Sequence, residues 1–345
     1  MAAGDRVLVT GAGGFIAKHC VAELLRRGYR VRGSVRRPEA MGEIAAAVGV
    51  ADPDRLDFAT LDLTADAGWD AALRDCRYLM HVASPFPLKA PKDRETLLAP
   101  ARDGTRRALA AASRNGVART VLTSSIAAVL SGHRQAGGRI WTEADWSDVD
   151  SPTIQPYPLS KTLAERLAWD FVAADASGME LTVVNPGFVL GPALDRDVAT
   201  SAEIVRLFLK GAYPAVPRLS FPVVDVRDVA LTHVAALESP QAAGERFLCA
   251  SDSLWLKDIG RILRTAFPAF RRNPPVRELP DFAVRLLALV DRNLRASAGE
   301  LGEAKRVSNA KAEAVLGIRF RPAEEAVVAM AQSLLDLGLV KRPAA

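Results

Sequence analysis

Short apolar runs alternate with longer segments of helical periodicity through the first half of the chain. The runs rich in β-branched and aromatic residues lie at residues 7–10, 29–35, 56–61, 78–83, 120–124 and 181–185. The helical patterns cover about 15–27, 94–115 and the segment after residue 157. Strands that are apolar on both faces need helices over both faces. The alternation therefore predicts an α/β fold built on a doubly wound parallel sheet.

The regular alternation weakens after Gly191-Pro192. The remaining chain is mainly helical with frequent prolines, and it closes with two amphipathic segments joined through Pro322. We expect residues 1–190 to form the main domain and residues 191–345 a smaller C-terminal region. Short apolar pairs within 223–250 predict that this stretch partly returns to the main domain; the pairs are Val223-Val224 and Phe247-Leu248.

A glycine-rich turn connects the first predicted strand to the first predicted helix. Its spacing is that of a dinucleotide-binding turn, with Gly11, Gly14 and, in the third small position, Ala17. Such a turn brings backbone N–H groups and the positive end of a helix to a pyrophosphate. A plain strand-to-helix turn is the alternative, but the position at the first strand favours a Rossmann nucleotide site. The residues expected to contact the cofactor here are Gly11, Gly13, Gly14, Phe15 and Ile16.

The residues at the end of the second predicted strand indicate whether the cofactor is NAD or NADP. An NAD site usually has an acidic residue there, whereas this chain has Arg36 and Arg37 with no carboxylate before Glu39. Because a guanidinium pairs well with a phosphate, we predict NADP(H), with Arg36 as the principal 2′-phosphate ligand and Ser34 and Arg37 assisting. The alternative is that the arginines are solvated surface residues. Later strand ends add predicted cofactor contacts at Asp62, Leu63, Val82, Ala83 and Ser84.

A tyrosine and a lysine stand four residues apart, at Tyr157 and Lys161. On a helix both would lie on one face, and the ammonium would favour the phenolate of a tyrosine whose ordinary pKa is about 10. Such spacing also occurs by chance on surfaces. The preceding strand ends in Thr123-Ser124-Ser125, so a serine can reach the same substrate oxygen. Either serine fits, and a strand-end cap explains the other.

Composition excludes several functional classes. The 345 residues carry a net charge of +5, scattered without a basic block, which does not favour nucleic-acid binding. The three cysteines and four histidines are isolated from one another, so neither a metal site nor a disulfide framework is expected. Neither a signal peptide nor an apolar run of membrane-spanning length is evident, so we expect a cytoplasmic protein that does not associate with a membrane.

Taken together, these motifs resemble those of the extended short-chain dehydrogenase/reductases. The resemblance is strongest to the branch of dihydroflavonol reductase, cinnamoyl-CoA reductase and the yeast-type aldehyde/ketone reductases. It is carried by the segments at residues 10–17, 35–38, 82–85, 123–125, 141–146, 185–192 and 225–230, together with Tyr157 and Lys161. It covers nearly the whole chain, including the closing segment at 308–317.

The resemblance implies residue roles and a reaction. Ser125 would orient the carbonyl, Tyr157 would exchange the proton, and Lys161 would hold the nicotinamide ribose and tune Tyr157. The nicotinamide would be bordered by Pro186, Gly187 and Val189. The implied activity is reversible, NADPH-dependent reduction of an aldehyde or ketone.

Three alternatives stay open: a nucleotide-sugar epimerase or dehydratase, a hydroxysteroid dehydrogenase, and a non-catalytic NADP-sensing regulator. The sequence before Tyr157 lacks the Asn-Trp-Tyr-Cys run of cinnamoyl-CoA reductases, so reduction of a CoA thioester is not expected. The protein is expected to be a monomer or a homodimer. Apolar residues in the irregular parts predict a hydrophobic small-molecule substrate, although core packing explains each of them equally well: Phe86, Leu130, Phe208, Tyr213 and Phe221.

Overall fold

The computed structural model describes residues 4–50, 52–84, 94–133, 138–289 and 298–342. Its strands are β1 (Arg6–Val9), β2 (Arg30–Val35), β3 (Leu56–Thr60), β4 (Tyr78–His81), β5 (Arg119–Thr123), β6 (Ile140–Trp141), β7 (Glu180–Pro186), β8 (Phe188–Leu190), β9 (Ser220–Asp225), β10 (Arg246–Cys249), β11 (Ser253–Trp255) and β12 (Arg306–Val307). Its helices are α1 (Phe15–Arg26), α2 (Met41–Val48), α3 (Trp69–Leu73), α4 (Glu95–Arg114), α5 (Pro156–Ala174), α6 (Thr200–Leu209), α7 (Val226–Glu238), α8 (Leu256–Ala266), α9 (Asp281–Leu287), α10 (Ala310–Leu316) and α11 (Ala323–Asp336).

Seven parallel strands form the central sheet in the order β10-β7-β5-β4-β1-β2-β3. Alternate residues of each strand enter cores on opposite faces. In β1, Val7 and Val9 pack in one core with α1 and α7, whereas Leu8 packs in the other core with α3 and α4. Both faces are thus apolar and covered, as parallel strands require. The predicted doubly wound parallel sheet is confirmed.

The C-terminal part adds a smaller sheet and its own core. Strands β11, β9 and β8 form this sheet, and α6, α8 and α11 pack around it, with Phe208, Ile259 and Met330 buried between them. The two returning apolar pairs have different destinations. Phe247 and Leu248 lie in β10 at the edge of the main sheet, while Val223 and Val224 lie in β9 of the small sheet. The division at residue 190 stays a prediction.

Two features lie outside the expectations drawn from the sequence. Helix α2 follows β2, although no helix was predicted there. Strand β12 pairs in parallel with β6, which places Val307 opposite Trp141. Within the described ranges, no helix is long and apolar enough to cross a membrane.

Candidate active site

The glycine turn lies at the carboxyl edge of the sheet, between the ends of β1 and β4. Gly11 has a φ of +64°, and a Cβ added there would stand 2.8 Å from the Cβ of Ala83. Glycine is therefore required both for the backbone conformation and for the close approach of the two strand ends. The N–H of Gly11 donates to Ser34 Oγ at 3.0 Å, and Ser34 is only 3% exposed. The hydroxyl of Ser34 thus supports the turn, and its role beside the 2′-phosphate stays a prediction.

Helix α1 presents its N-terminus beside this turn. Gly14 is the N-cap, no side chain caps the helix, and its first turn contains no acidic residue. Phe15 and Ile16 pack their side chains into the cores, while their amides belong to the first turn, whose N–H groups lack intrahelical acceptors. Gly13 is half-buried, and an added Cβ there would meet Ile44 only at 3.5 Å. The cradle of N–H groups with a positive dipole end fits a pyrophosphate.

The arginines after β2 differ sharply from Arg32 within it. Arg36 and Arg37 are exposed, and neither forms an ion pair with another described residue. Arg32 instead pairs with Asp57 at 2.7 Å and donates to backbone carbonyl oxygens of residues 71, 72 and 74, at the end of α3. Arg36 and Arg37 thus remain available for an external anion, whereas Arg32 serves the fold.

The ends of β3 and β4 provide the other predicted cofactor contacts. Asp62 is exposed and accepts two hydrogen bonds of 2.8 Å from Thr64. These bonds, with smaller contributions from Arg36 and Arg107, lower the pKa of Asp62 and keep it ionised. Leu63 packs beside Gly104 of α4. After β4, Val82, Ala83 and Ser84 are half-buried, and the N–H of Ala83 donates to Thr10 Oγ1 at 3.0 Å.

The predicted catalytic residues converge at the end of β5 and the start of α5. Tyr157 lies in the first turn of α5, after Pro156, where a missing N–H is tolerated. Its half-buried side chain is hydrogen-bonded to that of Ser125. Ser125 Oγ also accepts from the N–H of Ala127 at 3.2 Å. The hydroxyl of Ser124 turns away and donates to Glu165 Oε2 at 2.5 Å. The structure therefore distinguishes the two serines, since Ser125 contacts the tyrosine.

Burial dominates the electrostatics of this cluster. It raises the pKa of Tyr157, and the hydrogen bond from Ser125 only partly opposes that shift. We expected Lys161 to lower the pKa of Tyr157, whereas in the protein without cofactor that pKa is raised. Lys161 is 8% exposed, and burial lowers its pKa to about 8 against an opposing attraction from Glu165. Its Nζ donates to the carbonyl oxygen of Thr123 at 3.5 Å.

Four polar residues that were not predicted as site residues lie close to this cluster. His81 and Glu165 line a cavity with Lys161, and Asn185 and Arg246 contact Glu165. A cavity of about 20 Å³, sufficient for one water molecule, is lined by Lys161 together with His81, Thr105 and Glu165. Glu165 is four residues beyond Lys161, so its spacing along α5 was a usable signal. His81 and Arg246 come from distant strands and gave no such signal.

The segment after β7 joins the two sheets next to the catalytic helix. An added Cβ on Gly187 would stand 2.4 Å from the carbonyl oxygen of Pro222, so β8 and β9 approach closely only because residue 187 is glycine. Pro186 is buried at the end of β7, and Val189 is half-buried against both cores. These residues flank the same sheet edge as Ser125.

The apolar residues proposed to bound the substrate have different surroundings. Phe208 belongs to the C-terminal core, with Tyr213 packed edge-on against it and 46% exposed. Phe221 is half-buried and its ring lies 5.3 Å from that of Phe188. Leu130 is half-buried against the small cluster around Trp141, and Phe86 lies outside the described residues. Core packing thus explains Phe208.

Comparison with known proteins gives consistent matches along the chain. Residues 7–250 match the model of the NAD dependent epimerase/dehydratase family. Cinnamoyl-CoA reductase 2 of Arabidopsis thaliana is 38% identical over 274 residues, covering 77% of this chain and 79% of the relative. The NADPH-dependent methylglyoxal reductase of Saccharomyces cerevisiae is 30% identical over 355 residues, covering 95% and 98%. The crystal structure of yeast methylglyoxal/isovaleraldehyde reductase complexed with NADPH has a TM-score of 0.82 at 28% identity, covering 96% of this chain and 99% of the yeast chain.

Proposed function

The chain belongs to the NAD dependent epimerase/dehydratase family of extended short-chain dehydrogenase/reductases, and we propose that it reduces an aldehyde or ketone to an alcohol with NADPH. The relatives confirm the predicted branch, because cinnamoyl-CoA reductases and the yeast methylglyoxal reductase are both among them. The chain is an NADP-dependent oxidoreductase. The observation that carries the proposed reaction is the hydrogen bond between Tyr157 and Ser125, next to a buried Lys161.

The residues at the glycine turn fit the cofactor. A side chain at Gly11 would fill the space in front of Ala83, and the uncapped start of α1 offers backbone N–H groups to a pyrophosphate. Arg36 is exposed and lacks an ion partner among the described residues, which suits a 2′-phosphate. When bound, NADPH supplies the hydride.

Tyr157 is suited to donate the accompanying proton. Because burial raises its pKa, the phenol is protonated at neutral pH and available to a carbonyl oxygen that gains negative charge. Ser125 has a single O–H, which would turn from the phenol oxygen to the carbonyl oxygen when substrate binds. Lys161 remains largely protonated below a pH of about 8, and its ammonium stabilises the phenolate left after transfer.

Two alternatives to reduction of a simple carbonyl are found among proteins of this family. Within the same family, an epimerase or dehydratase of nucleotide sugars uses the same kind of dyad without net consumption of cofactor. We favour net reduction, because the relatives matched over most of their length are reductases by name. A simple carbonyl is proposed in preference to a CoA thioester, because residues 154–159 lack the signature expected of cinnamoyl-CoA reductases.

A substrate panel tests the proposal. Purified protein is mixed with NADPH and with aliphatic and aromatic aldehydes, ketones, 2-oxoaldehydes, hydroxycinnamoyl-CoA thioesters and sugar nucleotides, and the loss of NADPH absorbance is followed. Oxidation of NADPH with aldehydes or ketones, and formation of the alcohol by mass spectrometry, is expected. Conversion of sugar nucleotides without net NADPH loss, or turnover with CoA thioesters alone, would contradict the proposed substrate class.

A further inference from the structure

A glutamate stands behind the catalytic pair on the same helix. Glu165 follows Lys161 by one helical turn, and its side chain is fully buried. Its Oε2 accepts hydrogen bonds from Ser124 Oγ at 2.5 Å and Asn185 Nδ2 at 2.8 Å. The same Asn185 Nδ2 donates to the backbone carbonyl oxygen of Ser125 at 3.1 Å. One carboxylate therefore connects the catalytic helix to the strand end that carries the catalytic serine.

The second oxygen of Glu165 faces a buried cation from the edge strand. Glu165 Oε1 lies 2.8 Å from Arg246 Nε, and Arg246 is 7% exposed. The guanidinium stacks on Trp146 at 3.9 Å and donates to the backbone carbonyl oxygen of Asp145 at 2.9 Å. The carboxylate and the guanidinium therefore face each other inside the protein, away from solvent.

Stability alone does not explain this buried pair. Taking two charges out of water costs several kcal/mol per ion, and apolar replacements of buried pairs are often neutral or stabilising. Within the described residues, Arg246 Nη2 and Asn185 Oδ1 are buried without a hydrogen-bond partner, and the contact of Arg246 Nε with Glu165 Oε1 is an ion pair without hydrogen-bond geometry. The network is therefore only partly satisfied. An incompletely satisfied network next to reacting groups points to an electrostatic role.

We propose that Glu165 is a positioning residue for the reaction: its carboxylate supplies the counter-charge for the Lys161 ammonium and, through Asn185, holds the backbone of Ser125 in place. This inference rests on the proposed function of Tyr157, Lys161 and Ser125. Glu165 touches neither substrate nor cofactor in this role. Its effect reaches the reaction through Lys161 and Ser125.

The groups that face Lys161 leave Glu165 as its counter-ion. From β4, His81 is buried with a pKa lowered to about 3, so it is neutral at working pH. From α5 itself, Tyr157 is protonated and neutral, and from β5 only the carbonyl oxygen of Thr123 approaches. Among the described residues, Glu165 is the charged group whose attraction raises the pKa of Lys161 against burial.

The charges around the pair of Glu165 and Arg246 come from α5 itself and from two other elements. Arg246 lies on β10 and faces Glu165, and it is influenced in turn by Arg166, the next residue of α5, and by Glu143 in the segment after β6. Loss of the Glu165 charge leaves Arg246 and Lys161 as two buried cations without their shared anion. The proton on Lys161 must then be held less tightly, and the lysine should lose it at a lower pH.

The test is Glu165→Gln, with two independent readouts. The first is the pH profile of turnover at saturating NADPH, in which the loss of rate at high pH reports deprotonation of Lys161. The second is an NMR titration of lysines labelled at Cε, with Lys161 assigned by its absence in Lys161→Met. We expect both to move to lower pH by about one unit, with the Kd for NADPH changed less than about threefold. An unmoved profile together with an unmoved lysine titration would overturn the proposal.

Two further variants separate positioning from folding. Glu165→Met combined with Arg246→Met replaces the pair by apolar side chains, which maintains the fold if the single variant is unstable. The same direction of shift is expected, and an unmoved Lys161 contradicts the role of Glu165. Asp228→Asn is the matched control, since Asp228 is also buried and paired, but it joins α7 to Arg321, just before α11. It should lower stability without moving the Lys161 titration.

The two readouts also keep this inference apart from the proposed function. The lysine titration requires no substrate, so it reports on Glu165 even if no carbonyl compound is reduced. A shifted Lys161 in a protein without reductase activity would refute the proposed reaction and leave the electrostatic coupling intact. Normal reductase activity with an unshifted Lys161 would refute the coupling alone.

Discussion

The two ends of the candidate site are built on opposite physical principles. At the glycine turn, the groups that would bind the cofactor are backbone N–H donors and exposed arginines. The arginines carry a permanent charge and remain hydrated. At the start of α5, the groups are a phenol, an ammonium and a carboxylate, all removed from water to a large extent. The first end suits an anion of permanent charge, and the second suits a proton that must move.

This difference determines what each end can tolerate. A hydrated charge adds only a small amount to the free energy of binding. Its loss should therefore lower the affinity for the cofactor and leave the catalytic step unchanged. A buried titratable group is coupled to its neighbours, so a single change alters several protonation states. Substitutions at the two ends should therefore differ in the size of their effects and in the kinetic constant that they change.

Apart from Tyr157→Phe, the largest effect is expected from Lys161→Met at the buried end. Loss of the ammonium should lower turnover by about 10²–10⁴-fold, as for removal of a group that assists proton transfer. The free energy of unfolding at pH 7 should rise by about 1–2 kcal/mol, because a buried lysine with a lowered pKa opposes folding while it is protonated. Turnover assays and urea denaturation measure both. Lys210→Met, on an exposed lysine, is the control and should change neither.

At the glycine turn, Gly11→Ala should have the next largest effect. The positive φ and the 2.8 Å approach to Ala83 should cost about 1–3 kcal/mol of stability and raise the Kd for NADPH at least about tenfold. Fluorescence titration with NADPH measures the affinity. Gly49→Ala is matched for conformation, since Gly49 has a φ of +72° with open space around it. Equal losses in the two variants would show that close strand packing at Gly11 is unimportant.

The predictions at both ends of the candidate site rest on signals that are local in sequence. The turn at Gly11, the arginine at position 36 and the pair of Tyr157 with Lys161 are each defined within a few residues, and helix or strand periodicity fixes their side of the fold. The sheet followed from the same apolar periodicity. The resemblance implied Ser125 in preference to Ser124, and the side-chain contact between Ser125 and Tyr157 that supports this prediction is one that no spacing encodes.

The rest depends on contacts between residues far apart in the chain. Arg246 meets Glu165 only because β10 is the edge strand beside β7, and a short apolar run does not specify which sheet it joins. Val223 illustrates the same limit, since its run lies in the small sheet. The pKa of Tyr157 was expected to be lowered by a neighbouring charge, whereas the degree of burial, invisible in the sequence, raises it.

Arg36→Met should have a smaller effect that is confined to the cofactor. Loss of one charge-assisted contact with the 2′-phosphate should raise the KM for NADPH about tenfold. The kcat and the KM for NADH should not change. Steady-state kinetics with both cofactors measure this selectivity. Arg37→Met should produce the lesser change of the two. A parallel rise in both KM values would assign Arg36 to general stability and not to the 2′-phosphate.

The smallest effect is expected from Asp62→Ala. The carboxylate accepts both of its hydrogen bonds from Thr64, so its removal loosens the turn after β3 and withdraws one predicted contact to the cofactor. The KM for NADPH should rise about threefold without a change in kcat, as for one exposed hydrogen bond. Asp54→Ala, another exposed aspartate in a turn, is the control. A change in kcat at Asp62 would mean that the two ends are not independent.

Tyr157→Phe tests the separation of the two ends most directly. Turnover at saturating NADPH and the Kd for NADPH are measured on the same preparation, with Tyr78→Phe, a tyrosine at the start of β4, as the control. We predict that turnover falls by at least about 10³-fold while the Kd stays within about threefold of the unaltered protein. Retained turnover would contradict the assignment of Tyr157 as the proton donor.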